Sequence, residues 1–316
     1  MKITIIGATG NVGSAAAFSL TGQRLADEIV LIDDPRPDML ALQAIDLNTA
    51  ATGKDMLVRA GQTADMKDSD IVIIAAGSGK FSDSRLEVLP ANVPIAKNIC
   101  DNISKNCPEA VVVTATNPVC PLNYALYLCS DLDRKKLIGY TYNDSIRFRH
   151  RAAGALGVPS SRVTGIVLGE HGNSQVLLFS SVRVDGKPGK FTEAMKKKLR
   201  RQVPDGQAVL DDLRDKTGRT AAWTTAVGLA YVCRAIGEDA GQVVPCSLVL
   251  DGEYGYKNIS MSVPAILGRE GVREILEIEL AEDEKEYLKK SVGVLEPAMR
   301  YVEDFLEGAG YRPKKV

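Results

Sequence analysis

The chain has 316 residues, of which 45% are hydrophobic, and its 39 basic side chains are balanced by 40 acidic ones. This length and composition allow a large buried core and suggest two domains, while the balanced charge excludes nucleic acid and anionic membranes as expected partners. The six cysteines form no Cys-x-x-Cys pair, which favours reduced core thiols. The chain opens on a strand pattern without room for a signal peptide and has no membrane-length apolar run, so a cytoplasmic protein is expected.

The first half of the chain alternates short apolar runs with amphipathic stretches. The predicted strands are Lys2–Ile6, Glu28–Ile32, Asp70–Ala76, Ala110–Thr114 and Lys136–Gly139, and the predicted helices between them are Val12–Leu20, Met39–Ala51, Leu86–Lys105 and Val119–Cys129. Buried strands that alternate with helices indicate right-handed crossovers. The predicted fold class is therefore α/β, a Rossmann-type doubly wound parallel sheet, whose ligands bind beyond the carboxyl ends of the strands.

A glycine-rich turn follows the first predicted strand, with the pattern Gly-x-x-Gly-x-x-Gly. Glycines at such a turn allow backbone amides to approach a pyrophosphate and the next helix to pack closely on the strand. The positive end of that helix then faces the phosphates. The residues of this turn expected to bind the cofactor are Gly7, Gly10, Asn11, Val12 and Gly13.

The second predicted strand ends at Asp33, 20 residues after Gly13. An acidic side chain at this distance binds the ribose hydroxyls of a dinucleotide. Because its charge would repel a 2′-phosphate, NAD is favoured as the cofactor, although the nearby Arg36 leaves NADP possible.

The second half of the chain has a different pattern. Its predicted elements are strands at Val163–Leu168, Val176–Val184 and Cys246–Leu250, a hairpin turn at Asp185–Gly186, and helices at Glu193–Lys216, Ala221–Ala235 and Asp283–Leu306. This pattern predicts an α+β domain. We place the boundary near residue 142, so that residues 1–142 form a dinucleotide-binding domain and residues 143–316 a substrate domain.

Candidate proton-transfer chemistry centres on one of the two histidines. His171 lies in the segment Gly169-Glu170-His171-Gly172, and Asp144 precedes it by 27 residues. Histidine suits proton transfer because its unperturbed pKa of about 6.5 lies near working pH. Asp144 offers a carboxylate to hold the imidazole, and Arg147 offers a planar fork for a substrate carboxylate. His150 lies in a basic helical stretch and is assigned no role.

Arranged along the chain, these motifs resemble the lactate/malate dehydrogenase family over nearly its whole length, and archaeal-type malate dehydrogenases most. The matching segments are Gly7–Gly13, Asp33, Arg85 with Asn92, Thr116–Val119, Asp144–Phe148 and Gly169–Gly172. The resemblance implies an NAD-dependent oxidation of a small 2-hydroxy acid in which His171 exchanges the hydroxyl proton. It further implies that Arg85 polarises the carbonyl, that Asn117 holds the substrate beside the nicotinamide, and that Asn92 lies near the cofactor. No metal site is predicted.

Two departures from the family pattern concern the substrate pocket. The loop before Arg85 carries neither the second arginine usual in malate dehydrogenases nor the glutamine usual in lactate dehydrogenases, and Lys80 is its only cation. Our hypothesis is that Lys80 binds the far carboxylate of malate or oxaloacetate; the alternative is a solvated loop lysine. Asn143 also replaces a usual apolar residue before Asp144.

Several alternatives remain open at this stage. A lactate dehydrogenase, or a dehydrogenase of another 2-hydroxy acid, would share the same proton chemistry. The turn Gly7-Ala8-Thr9-Gly10 also occurs in short-chain-type reductases, but the only Tyr-x-x-x-Lys spacing here is Tyr311–Lys315 in the tail. A non-catalytic NAD-binding protein is the third alternative. Members of the family are usually dimers or tetramers, so a homo-oligomer, tetramer or dimer, is expected.

Overall fold

A computed structural model describes residues 1–79 and 85–311, with the side chain of Arg85 outside the description. In the first half of the chain the strands are β1 (Lys2–Ile6), β2 (Glu28–Ile32), β3 (Leu57–Ala60), β4 (Ile71–Ile74), β5 (Val111–Thr114) and β6 (Leu137–Gly139). The helices of this half are α1 (Asn11–Gln23), α2 (Pro37–Ala50), α3 (Leu89–Asn106) and α4 (Val119–Cys129). Strands and helices thus alternate as expected, with β3 as an additional strand.

The six strands of the first half form a parallel sheet in the order β3-β2-β1-β4-β5-β6. Their Ile and Val side chains are buried on both faces because helices cover the sheet from both sides. The strand order reverses between β1 and β4, which pair in parallel from Ile3 opposite Ile71 onward. The glycine turn after β1 therefore lies at the point where open α/β sheets bind their ligands.

The second half of the chain continues this sheet and adds a smaller one. Its strands are β7 (Val163–Leu168), β8 (Val176–Val184), β9 (Lys187–Pro188), β10 (Val243–Asp251), β11 (Lys257–Gly268) and β12 (Gly271–Ile275). Its helices are α5 (Tyr142–Leu156), α6 (Glu193–Thr217), α7 (Trp223–Gly237) and α8 (Glu282–Gly308). Within the described residues, β10, β11 and β12 extend the large sheet to nine strands, and β7, β8 and β9 form the second sheet.

The two halves of the chain join where β10 pairs antiparallel with β6. Ser247 lies opposite Gly139, and a Cβ on that glycine would lie 2.7 Å from the Cβ of Ser247 and 2.9 Å from Cγ1 of Val119. Real side chains do not approach this closely, so glycine is required for the strands to meet under α4. The join fixes α5, which begins directly after β6, against the shared sheet.

All six cysteines are free thiols, and five of them are buried. Burial raises the pKa of the Cys233 and Cys246 thiols to about 12, as expected for inert core residues.

Within the described ranges, no helix combines the length and apolar character needed to cross a membrane.

Candidate active site

The glycine turn after β1 holds α1 close to the sheet. Gly7 has a φ of +83°, and a Cβ there would lie 2.5 Å from the backbone nitrogen of Ala76. A Cβ on Gly13 would lie 2.2 Å from the carbonyl oxygen of Gly7. Gly10 is the N-cap of α1 and has no side chain to satisfy the first amides of Asn11, Val12 and Gly13. The result is an open, positively polarised helix end suited to a pyrophosphate.

Asp33 lies beside this turn at the end of β2. Its Oδ2 accepts hydrogen bonds from the backbone nitrogen of Thr9, at 2.9 Å, and from the Thr9 hydroxyl. The carboxylate is thereby fixed next to the phosphate-binding turn, where the ribose hydroxyls of a dinucleotide require an acceptor.

The side chain of Asn92 connects the loop that follows β4 with Asn117 in the loop that follows β5. Oδ1 of Asn92 accepts from the Ser78 backbone nitrogen at 2.8 Å, and its Nδ2 donates to the Asn117 carbonyl at 2.7 Å. Oδ1 of Asn117 is buried and has no hydrogen-bond partner among the described residues. Since buried acceptors normally find a donor, this oxygen indicates a place for a ligand donor. The glycine turn, Asp33 and this acceptor together fit a dinucleotide.

The proton-transfer pair predicted from the sequence is assembled. Nδ1 of His171 lies 2.6 Å from Oδ2 of Asp144, and the two side chains are only 8% and 3% exposed. Asp144 lies in the first turn of α5, and His171 follows β7. With the carboxylate ionised, Nδ1 is the donor to Asp144, which leaves Nε2 as the ring nitrogen on the side away from this carboxylate.

The loop that carries His171 is fixed from both sides. Gly169, at φ +82°, exchanges two backbone hydrogen bonds with Ser262 of β11, at 3.0 and 2.8 Å. The Glu170 backbone nitrogen donates to Ser291 of α8 at 2.8 Å, while its carboxylate accepts from the backbone of Ser174 at 3.0 Å. Glu170 therefore closes the loop, and the imidazole is positioned by contacts to two different elements.

Arg147 follows Asp144 by three residues on α5 and is half-buried. It lines a small cleft together with Gly172 and Asn173, the residues directly after His171. Its guanidinium forms no hydrogen bond or ion pair with any residue in the described part of the chain.

His150, assigned no role from the sequence, is exposed. Lys80 and the Arg85 side chain lie outside the described residues, although the Arg85 backbone begins a short 3-10 helix that leads into α3.

A buried polar network beside Asp144 was not predicted as a unit. The Tyr140 hydroxyl donates to Oδ1 of Asn143 at 2.7 Å, and Nδ2 of Asn143 donates to the Thr225 hydroxyl of α7 at 2.7 Å. A Cβ on Gly228 would lie 1.9 Å from the Tyr140 oxygen, so that helix position accommodates the ring. The unusual polar residue at position 143 was the only sequence signal for this connection between α5 and α7.

Nearly the whole chain matches one protein family. Residues 1–139 match the lactate/malate dehydrogenase NAD-binding domain, and residues 141–306 match the α/β C-terminal domain of the same family. A malate dehydrogenase of Natronomonas pharaonis is 38% identical over 291 residues, covering 91% of this chain and 94% of that protein. An L-lactate dehydrogenase 3 of Bacillus thuringiensis subsp. konkukian is 37% identical, covering 95% and 98% respectively.

A solved structure has a similar fold over nearly the whole chain. The lactate dehydrogenase of Cryptosporidium parvum, complexed with lactic acid and nicotinamide adenine dinucleotide, superposes with a TM-score of 0.87 at 30% identity, covering 96% of this chain and 98% of that one. The fold and the site thus define an NAD-dependent oxidoreductase. The chain belongs to the lactate/malate dehydrogenase family. Its membership argues against the short-chain-type and non-catalytic alternatives.

Proposed function

We propose that the protein interconverts malate and oxaloacetate with NAD as the hydride carrier. The observation that carries the proposal is the buried contact of 2.6 Å between His171 and Asp144. Arg147 follows Asp144 by three residues and has no hydrogen-bond or ion-pair partner among the described residues. Malate dehydrogenases among the relatives support this substrate. Lactate dehydrogenases among them keep L-lactate and other 2-hydroxy acids as the second candidate.

The proposed proton path uses two side chains. Nε2 of His171 takes the hydroxyl proton of the 2-hydroxy acid. A bound NAD would supply the acceptor for the hydride that leaves the carbon bearing this hydroxyl. Asp144 accepts from Nδ1 and stabilises the imidazolium that forms. In the reverse direction Nε2 returns the proton to the carbonyl oxygen. Because the pair is buried and its loop is fixed, little reorientation is needed during the reaction.

The remaining proposed roles concern substrate orientation. Arg147 binds the C1 carboxylate through its two-pronged guanidinium, which places the reacting carbon near His171. Asn117 holds the substrate beside the nicotinamide, and Asn92 fixes the Asn117 backbone. Arg85 polarises the carbonyl of the keto acid as charge develops on oxygen. Gly7, Gly10, Asn11, Val12, Gly13 and Asp33 bind the dinucleotide.

Lys80 is the proposed partner of the far carboxylate. A lysine supplies a point charge where malate dehydrogenases usually place an arginine fork, so we expect a weaker preference than the fork provides. Wild type and Lys80→Gln should be compared for kcat/KM with oxaloacetate and with pyruvate, each with NADH and with NADPH. We expect oxaloacetate and NADH to be preferred by the wild type, and Lys80→Gln to lose most of the preference for oxaloacetate. A higher kcat/KM for pyruvate in the wild type would overturn the malate assignment.

We also propose the two-domain division at residue 142 and a homo-oligomer, either a tetramer or a dimer. An exposed apolar surface supports the assembly. Its members lie on α1, α2 and α7 and include Phe18, Leu42, Ile45, Trp223 and Val227. Helix α1 packs against both α7 and α2, so these exposed side chains belong to neighbouring elements, which supports their burial against a second copy.

A further inference from the structure

A cleft between α5 and α6 contains a second arginine that the proposed reaction does not use. Arg151 lies one helical turn after Arg147, and both guanidinium groups line the cleft. The other walls come from Gly172 and Gln175, near the His171 loop, and from Gly206 and Gln207 of α6. The cleft is narrow and partly open to solvent, and its interior has room for about one water-sized group, such as a single oxygen of an oxyanion.

The positive charge in this cleft is not neutralised by the described residues. Neither Arg147 nor Arg151 forms a hydrogen bond or ion pair within residues 1–79 and 85–311. The nearby carboxylates have other partners, since Asp144 contacts His171 and Asp211 accepts from Gln207 at 2.9 Å. Burial, followed by the charge of Arg147, lowers the pKa of Arg151, and the negative charge of Asp144 opposes this shift without reversing it. Two partly desolvated cations that form no ion pair with the described residues favour the entry of an anion.

Helix α6 is shaped to admit the second guanidinium. A Cβ on Gly206 would lie 2.6 Å from Nη2 of Arg151, so only glycine leaves this space free without a shift of the side chain. Glycine in a helix interior costs about 1 kcal/mol relative to alanine. The position is therefore unfavourable for α6 itself and is explained by its contact with the arginine.

We propose that Arg147 and Arg151 form one oxyanion site in which Arg151 is a second anion-binding residue. The ligand class is a small oxyanion held between two guanidinium forks, which relieves their mutual repulsion. Two sources supply this chemistry: the C1 carboxylate of the substrate, shared by both arginines, or a separate inorganic oxyanion in the cleft. The inference rests on the proposed function only for the substrate role of Arg147.

Sulfate is the probe, and its binding is measured without turnover. The rise of the thermal unfolding midpoint with sulfate is recorded against sodium chloride of equal ionic strength. We expect Arg151→Met to weaken sulfate binding roughly tenfold, the loss typical of one charge-assisted contact. Arg201→Met is the matched control, because it removes the same charge from the exposed face of α6 and should leave sulfate binding unchanged. Equal sulfate affinity in the wild type and Arg151→Met overturns the proposal.

A second variant keeps the proposal testable if Arg151→Met does not fold. Gly206→Ala removes no charge and favours the helix, but its methyl group takes space that the Arg151 guanidinium occupies. Because the end of the Arg151 side chain can shift to make room, we expect sulfate binding to weaken by less than in Arg151→Met, without a lower unfolding midpoint in the absence of sulfate. Tighter sulfate binding by Gly206→Ala than by the wild type would contradict the placement of Arg151 in the site.

Kinetics identify the source of the oxyanion. If the site is shared with the substrate, sulfate competes with the keto acid, and Arg151→Met raises KM roughly tenfold with little change in kcat. If the site is separate, sulfate inhibition is non-competitive and is lost in Arg151→Met while KM is unchanged. A wild type that binds sulfate through Arg151 but turns over no keto acid would refute the proposed function and leave this inference standing.

Discussion

The His171–Asp144 contact combines close approach with nearly complete burial. A short contact of 2.6 Å between side chains that are 8% and 3% exposed leaves the imidazole one favourable orientation and little exchange with water. An ionised carboxylate can only accept a hydrogen bond, so it selects the tautomer that keeps the proton on Nδ1. The proton transfer that we propose at Nε2 therefore depends on a charge located on the opposite side of the ring.

Asp144→Asn tests this dependence at the level of one residue. The amide has nearly the same shape but can donate to Nδ1, which favours the wrong tautomer and removes the charge that stabilises the imidazolium. We expect kcat for keto acid reduction to fall by roughly 10²- to 10⁴-fold, the range of general acid–base contributions. Affinity for NADH, measured by fluorescence titration, should change little.

Asp185→Asn provides the matched control for that substitution. Asp185 pairs with Arg162 at the exposed β8–β9 hairpin, outside the residues that we assign to the site. The same change of acid to amide there should leave kcat within a factor of about two, as is usual for surface substitutions. An Asp144→Asn enzyme as active as this control would contradict the assigned role of Asp144.

The site residues differ in how far the sequence could predict them. His171, Asp144 and Arg147 were predicted because their order and spacing match one family, and the structure brings His171 and Asp144 into contact. Arg151 was counted with a basic helix, since its spacing from Arg147 gives no information on solvation. Only the position of α6 over both arginines shows that they share a cleft.

At the scale of elements, the strand–turn–helix unit of β1 and α1 depends on direct backbone packing. The turn leaves no space for a methyl group at Gly13, where the nearest atom is a backbone carbonyl oxygen 2.2 Å away. A backbone atom cannot rotate aside as a flexible side chain can. Any larger residue must move the start of α1 away from β1, and with it the amides expected to bind the pyrophosphate.

Gly13→Ala should therefore lower both stability and cofactor affinity. We expect a loss of about 1–3 kcal/mol in the free energy of unfolding, typical of overpacking, and a weaker affinity for NADH. Gly22→Ala is the control in the same helix, because a Cβ at Gly22 has no atom within 4 Å. That substitution should stabilise the protein by about 0.4–1 kcal/mol. Urea titration and NADH titration of both variants measure these effects, and equal behaviour of the two would refute the packing argument.

The elements that the sequence predicted best are those whose burial is visible locally. The bounds of β1, β2, β7 and β8 agree with expectation because uninterrupted or alternating apolar residues reveal their burial. β3 is short and half-exposed, and β11 contains polar residues that a periodicity argument rejects. Their pairing depends on distant partners: β11 is stabilised by β10, and the β6–β10 join connects residues 139 and 247.

At the scale of the whole molecule, the main unexplained feature of the isolated chain is its exposed apolar surface. Ile45 of α2 is 69% exposed and Trp223 at the start of α7 is 73% exposed. Leu42 and Ile45 lie three residues apart on α2, so they share one face of that helix. Leaving such side chains in water forgoes their burial, worth roughly 1.5–3 kcal/mol for each large apolar residue.

Ile45→Lys tests the proposed assembly. A subunit has a mass of 34.0 kDa, so sedimentation should give two or four times that value for the wild type. We expect the charged side chain to shift the protein toward smaller species, because burial of an unpaired ammonium group in an interface is costly. Val209→Lys introduces the same charge at an exposed apolar position on α6 and should not shift it. A wild-type protein that sediments as a monomer would refute the oligomer.

The pairing of β6 with β10 also determines how the enzyme can open. One backbone ladder runs through both halves of the chain, so a hinge between them would have to break interstrand hydrogen bonds beside Gly139. We therefore expect any movement that admits substrate to occur outside this shared ladder. Unfolding of the subunit by denaturant should then be one cooperative transition, rather than two independent transitions for the two halves of the chain.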